Sequence, residues 1–240
     1  MQDYNNRLRL FMLPFAGGNV YSYRVLENEL APKLETHPLE LPGRGRRFTE
    51  ALITDIATAV DDLFNHIRGY LGNPYAFFGH SMGSVLACLL TTKIKQEGYP
   101  LPVHLFCSGR SGLWNAHPEP WYLLPPDAFW KKINDLGGLP LSNDLNDEIR
   151  TIFEPILRAD FRLVQIPEKD EFEKRYPVDV PMTVFLGKDD RITTEPSSWH
   201  RHTRYAPRVV YFEGNHFYFL DQYMMLAEYI KNILFDHVYP

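Results

Sequence analysis

Tyr75-Ala-Phe-Phe-Gly-His-Ser-Met-Gly-Ser84 decides how the rest of the chain is read. Four apolar residues read as a buried strand. Gly79-His80-Ser81-Met82-Gly83 then turns, and the residues after it, apolar through Leu89, read as a helix. A G-x-S-x-G turn between a strand and a helix holds the serine in a strained conformation, with its hydroxyl exposed at the end of the sheet. Side chains at Gly79 or Gly83 would strike neighbouring backbone. The helix N-terminus beneath Ser81 favours developing negative charge. Chance gives roughly 0.03 matches to this pattern in a chain of this composition, before the strand and helix are required. A purely structural turn is the weaker reading.

Working outward, short apolar segments alternate with helical patterns. Strands are expected at residues 8–13, 39–41, 75–78, 103–107, 181–186 and 209–212. Helices are expected at 20–30, 51–70, 81–97 and 218–234, the second with Leu52, Ile56, Ala59, Val60, Leu63 and Ile67 on one face. Alternation of this kind implies a parallel sheet covered on both faces. The stretch 113–172 breaks the rhythm. It shows no strand and is punctuated by prolines. Asp127 can cap a helix carrying Phe129, Ile133 and Leu136, and a second helical stretch spans about 144–166 with Pro155 inside it. The expectation is a helical lid, with Trp114, Trp121, Tyr122 and Trp130 exposed as an apolar substrate cover; an ordinary helical subdomain is the plainer alternative.

A serine nucleophile at the end of such a sheet needs a base and an acid that follow it in the chain. Of the 9 histidines, His216 is placed best, in Glu213-Gly-Asn-His-Phe217 after the last strand. His80 lies inside the turn itself, and the remaining histidines lie within or beside other elements, before a proline, or in the insertion. The acid is expected after the preceding strand, in Gly187-Lys-Asp-Asp190. The spacing from Gly187 selects Asp190, with Asp189 as fallback. Two backbone N–H groups should hold an oxyanion: Met82, directly after the serine, and Ala16 in Leu13-Pro-Phe-Ala-Gly-Gly18, with Phe15 close behind. No phosphate-binding glycine loop of the G-x-x-x-x-G-K-[ST] or G-x-G-x-x-G type occurs.

Bulk properties narrow the classes. The chain has 240 residues, 45% hydrophobic and 23% charged, an ordinary globular composition. Its formal net charge of −5 speaks against a nucleic-acid binder. Cys88 and Cys107 suit neither a zinc site nor a disulfide framework, so no metal is expected. The N-terminal stretch lacks the apolar core of a signal peptide, and no segment reaches the length of a spanning helix. A soluble, cytoplasmic protein is expected, with no membrane partner.

The chain resembles the type II thioesterases that accompany non-ribosomal peptide and polyketide synthases. The matching stretches are LPFAGG at 13–18, LPGRGRRFTE at 41–50, GHSMGS at 79–84, CSGR at 107–110, PILRADF at 155–161, GKDD at 187–190 and GNHFYF at 214–219. The serine turn is shared by lipases, esterases and peptidases, whereas LPGRGRR together with LRADF is more particular to this family. Two positions depart from its pattern. Asn215 takes the place of a second glycine, and Ser84 that of a small Gly or Ala. The resemblance implies one α/β-hydrolase domain over 1–240, a mostly parallel sheet with helices on both faces and a lid at 113–172. It implies hydrolysis of acyl thioesters on the phosphopantetheine arm of carrier proteins, through Ser81, Asp190 and His216. No cofactor is expected beyond the arm carried by the substrate. A monomer is expected, with acyl or peptidyl carrier proteins as partners. Carrier domains of such systems are commonly acidic, so Arg46 and Arg47 become candidate docking residues, while Arg44, inside the PGRG turn, is expected to pair internally. The rivals are a general carboxylesterase or lipase on the same scaffold and a non-catalytic binding protein.

Overall fold

The computed structural model describes residues 8–31, 33–113, 120–137, 147–164, 178–193 and 196–238. Six strands form one sheet: β1 (Arg9–Leu13), β2 (Glu35–Pro38), β3 (Tyr75–His80), β4 (His104–Ser108), β5 (Met182–Gly187) and β6 (Arg208–Phe212). Their order is β2-β1-β3-β4-β5-β6, and all five pairings are parallel. The carboxyl ends of all six strands therefore lie along one edge, where ligands of open parallel sheets bind.

Among the described residues six α-helices accompany them: α1 (Arg24–Leu30), α2 (Ile56–Ile67), α3 (Met82–Gln96), α4 (Pro126–Asp135), α5 (Asp147–Val164) and α6 (Tyr223–Val238). Strand alternation divides the core. Phe11, Leu13, Phe77, Leu105, Val184 and Leu186 pack with α2 and α3. Leu10, Met12, Ala76, Phe78, Phe106 and Phe185 pack with α1 and α6 on the other face. All six residues of β3 are buried, which is why its sequence reads as a continuous apolar run. At the start of α2 the Asp55 carboxylate accepts the Thr58 N–H at 2.8 Å, satisfying a donor that the helix leaves open.

Several expectations shift. The second strand is Glu35–Pro38, not 39–41. It is an edge strand, half-buried along its length and largely polar, so an apolar pattern does not mark it. Leu39 still donates to the Met12 carbonyl at 2.9 Å before the chain turns away. The first helix begins at Arg24 after turns over 20–23, and the last at Tyr223 after a 3-10 turn at Tyr218–Leu220. Pro125 precedes α4, Pro126 opens it, and Asp127 sits in its first turn without capping it. Trp121 and Trp130 are not exposed. They are 4% and 3% accessible and pack with Phe129, Ile133 and Leu157 in a third apolar cluster. Tyr122 is half-buried. Trp114 and much of 113–172 lie outside the described residues.

Candidate active site

Ser81 is the one non-glycine described residue with positive φ, at +53°. The turn that imposes this is backbone packed on backbone. A Cβ on Gly79 would stand 2.1 Å from the Gly83 carbonyl oxygen, and one on Gly83 would stand 2.5 Å from that of Leu13. No side chain fits in either place. The Ser81 N–H donates to the Ser108 carbonyl at 2.7 Å, tying the turn to the end of β4. Ser84, one of the two departures noted above, adds a second tie. Its hydroxyl lies 2.8 and 2.9 Å from the carbonyls of Gly79 and Ser108 and accepts the Ser108 N–H at 3.0 Å.

His216 follows β6 and is buried. Its Nδ1 lies 2.8 Å from Asp190 Oδ2. Asp190 follows β5 and is buried as well, and its Oδ1 accepts the Ile192 N–H at 3.0 Å. Asp189 is exposed; its backbone N–H donates to the Gly214 carbonyl, lacing the two loops together at 2.9 Å. Gly187 permits this close approach, since a Cβ there would lie 2.3 Å from the Asn215 carbonyl oxygen. Asn215, the other departure, bonds through Oδ1 to the Phe217 N–H and through Nδ2 to the Gly137 carbonyl beyond α4. It joins the His216 loop to the helical segment.

Ser81, Met82, Ala16, Phe15 and His216 line one cavity. Trp121, Ile133 and Leu136 line it beside α4, and Leu157, Phe161 and Val164 line it from α5. The spacing i, i+4, i+7 along α5 places those three on one helical face. α4 and α5 thus cover the cavity with apolar side chains. The backbone N–H groups of Phe15 and Ala16 donate to no described residue. Met82 is the first residue of α3, where an N–H has no partner within the helix.

His80, which the sequence offers only as part of the serine turn, lies against His216, with ring centroids 4.8 Å apart. His80 Nδ1 lies 2.8 Å from the Ser108 hydroxyl, which in turn meets the Tyr218 hydroxyl at 2.6 Å. Complete burial, followed by the charge of His216, holds the His80 pKa well below its ordinary value. Burial likewise pushes the Tyr218 hydroxyl above its usual range. A neutral, fixed ring therefore backs the His216 imidazole. Arg110 of the CSGR stretch also lines the cavity. Its Nε and Nη2 donate to the carbonyls of Gly112 and Leu113.

The two candidate docking arginines part company. Arg47 is bonded to both Glu50 and Asp62, so its charge is met within the chain. Arg46 is exposed, with its guanidinium 5.6 Å from the centre of the Tyr21 ring; Glu40 and Glu27 act on its charge from farther off, with no close ion pair among the described residues. Arg44 pairs internally with Asp160, as expected. Among the described residues no cluster of His, Cys, Asp and Glu could hold a metal, and no helix is long and apolar enough to cross a membrane.

Residues 8–234 match the family model described as Thioesterase domain. The chain belongs to the thioesterase family. It is 30% identical over 227 residues to the gramicidin S biosynthesis protein GrsT of Aneurinibacillus migulanus, covering 93% of this chain and 88% of that one. Its structure resembles ClbQ from the colibactin non-ribosomal peptide and polyketide synthase pathway, with a TM-score of 0.87, 29% identity and coverage of 96% and 98% of the two chains. It also resembles the type II thioesterase BorB from the borrelidin biosynthetic cluster, with a TM-score of 0.84, 26% identity and coverage of 95% and 93%. The relatives of this thioesterase thus include type II thioesterases of peptide and polyketide synthesis, and its fold is that of the α/β-hydrolases.

Proposed function

We propose that this thioesterase is an editing enzyme, releasing acyl groups from the phosphopantetheine arm of carrier proteins that serve a non-ribosomal peptide or polyketide synthase. The observation that carries the chemistry is the buried His216–Asp190 pair at 2.8 Å, set on the same cavity as the strained Ser81. Asp190 holds the proton on Nδ1, which leaves Nε2 free to accept the Ser81 hydroxyl proton. Ser81 Oγ attacks the thioester carbonyl, and the N–H groups of Met82 and Ala16 receive the oxyanion. The carbon–sulfur bond breaks and the acyl group stays on Ser81. Free thiols ionise near ~8.5, so the thiolate leaves readily, and it takes the proton from His216, which returns to the neutral imidazole. His216 then takes a proton from water as the water oxygen attacks the acyl carbon; the bond to Ser81 Oγ breaks, His216 returns the proton to Oγ, and the acid is freed.

The apolar lining from Trp121 to Val164 favours an acyl chain over a polar substrate. The exposed Arg46 supplies a contact for an acidic carrier, and a monomer suffices for each step. The test is hydrolysis across a panel of acylated carrier proteins beside matched oxygen esters. A higher kcat/KM on the carrier thioesters supports the proposal. Equal or better turnover of the oxygen esters would mark a general esterase instead.

A further inference from the structure

Three of the stretches that mark this chain's family meet at one side chain. Asp160, in the PILRADF stretch of α5, is fully buried and accepts three hydrogen bonds. Two come from Arg44 of the LPGRGRR stretch, itself 2% accessible, whose Nη1 and Nη2 grip Oδ2 and Oδ1. The third comes from the backbone N–H of Gly17 in LPFAGG, at 2.7 Å. Gly17 directly follows Ala16. Its φ is +78°, and a Cβ there would stand 2.9 Å from Leu157 Cδ2 of the same helix. The loop after β1 thus rests on α5 through one carboxylate and one leucine.

A buried ion pair is a weak device for stability, because desolvation offsets most of its attraction. Two apolar side chains of similar volume would fill the same space. They could not, however, accept the Gly17 N–H. That bond fixes the direction of the peptide units around Gly17, and with them the N–H of Ala16. An oxyanion donor works through preorganisation, so a small rotation of that peptide loses much of its value.

We propose that Asp160 is a positioning residue for the reaction. Through Gly17 it aims the Ala16 N–H at the oxyanion, and it sets that aim from α5, the helix that holds the acyl chain. Burial pushes the Asp160 carboxyl up from its ordinary range; Arg44 opposes that push and holds the group in orientation. Leu157, three residues before Asp160, and Phe161, directly after it, face the acyl cavity, so an acyl group that seats α5 also seats the donor. The inference rests on the serine mechanism proposed above.

The test separates aim from stability. Arg44→Met with Asp160→Leu replaces the pair by apolar side chains; Asp160→Asn alone keeps an acceptor but loses the charge. Each is compared with the parent for melting temperature, for kcat and KM on an acyl-cysteamine thioester, and for two ligands. A trifluoromethyl ketone forms a tetrahedral oxyanion on Ser81. A thioether of the same chain has no carbonyl and reports cavity binding alone. The double variant is expected to fold with a melting temperature near the parent's while kcat falls about 10- to 100-fold, below the ~10²–10³ of deleting a donor outright. KM and thioether affinity should stay within about twofold, and trifluoromethyl ketone affinity should fall with kcat. A double variant that melts and turns over like the parent overturns the proposal. If the double variant does not fold, the ligand ratio in Asp160→Asn decides: equal losses for ketone and thioether overturn the proposal, and a selective loss for the ketone sustains it. A parent protein that neither hydrolyses the thioester nor prefers the ketone would instead remove the serine mechanism, before any variant is compared.

Discussion

The turn at residues 79–84 and the cover formed by α4 and α5 line the same cavity by different means. In the turn, the contacts that hold Ser81 are backbone on backbone, and glycines at 79 and 83 leave them no freedom. In the cover, the contacts are side chains. Ile133, Leu157 and Phe161 present hydrocarbon, and specific direction comes from a few polar links: Asp160 to Gly17, Trp130 Nε1 to Glu154 at 2.7 Å, and Arg158 to the Tyr122 carbonyl at 2.8 Å. Backbone geometry of the first kind tolerates almost no substitution. Side-chain lining of the second kind can change size and keep its fold. Under the proposed function, that difference assigns reactivity to the sheet edge and acyl preference to the cover.

The largest effect should come from breaking the sheet-edge half of this comparison. Asp190→Asn is expected to lower kcat by up to ~10⁴, through loss of the His216 tautomer, while Asp189→Asn stays within a few-fold of the parent. Steady-state kinetics of the two variants decide between the carboxylates. The cover should respond more gently. Ile133→Ala removes a buried side chain and is expected to cost about 2–5 kcal/mol of stability, visible in denaturant unfolding. It should also shift the kcat/KM optimum towards longer acyl chains, with fluorophosphonate labelling of Ser81 unchanged. An unchanged chain-length profile would mean that Ile133 only packs. The smallest effect is expected at the surface. Arg46→Glu should raise KM for an acidic acyl-carrier substrate a few-fold at low salt, less at high salt, and leave a small acyl-cysteamine substrate alone. Arg47→Glu should instead lower stability, since its partners Glu50 and Asp62 would be left facing a like charge.

The sheet edge was legible in the sequence because its signals are local. Glycines at fixed offsets, apolar runs and strand ends mark Ser81, His216 and Asp190 without knowledge of the tertiary contacts. The cover was legible only as a break in the strand–helix rhythm. Trp121 and Trp130, expected at the surface, are buried because α4 and α5 form an apolar cluster of their own, which no single helical pattern reveals. The edge strand β2 lies just before the expected 39–41, since a half-buried edge strand needs no apolar pattern. The Asp160–Arg44 pair spans 116 residues, so neither motif announces the other. Arg47 offered a free charge in sequence and finds two carboxylates in space.

Mass spectrometry of the serine peptide after brief reaction with an acyl thioester tests the central claim most directly. One acyl adduct is expected, on Ser81, forming before the free acid appears and absent in Ser81→Ala, which also loses turnover. Thiol release with no adduct on the parent, or turnover that survives in Ser81→Ala, would contradict it.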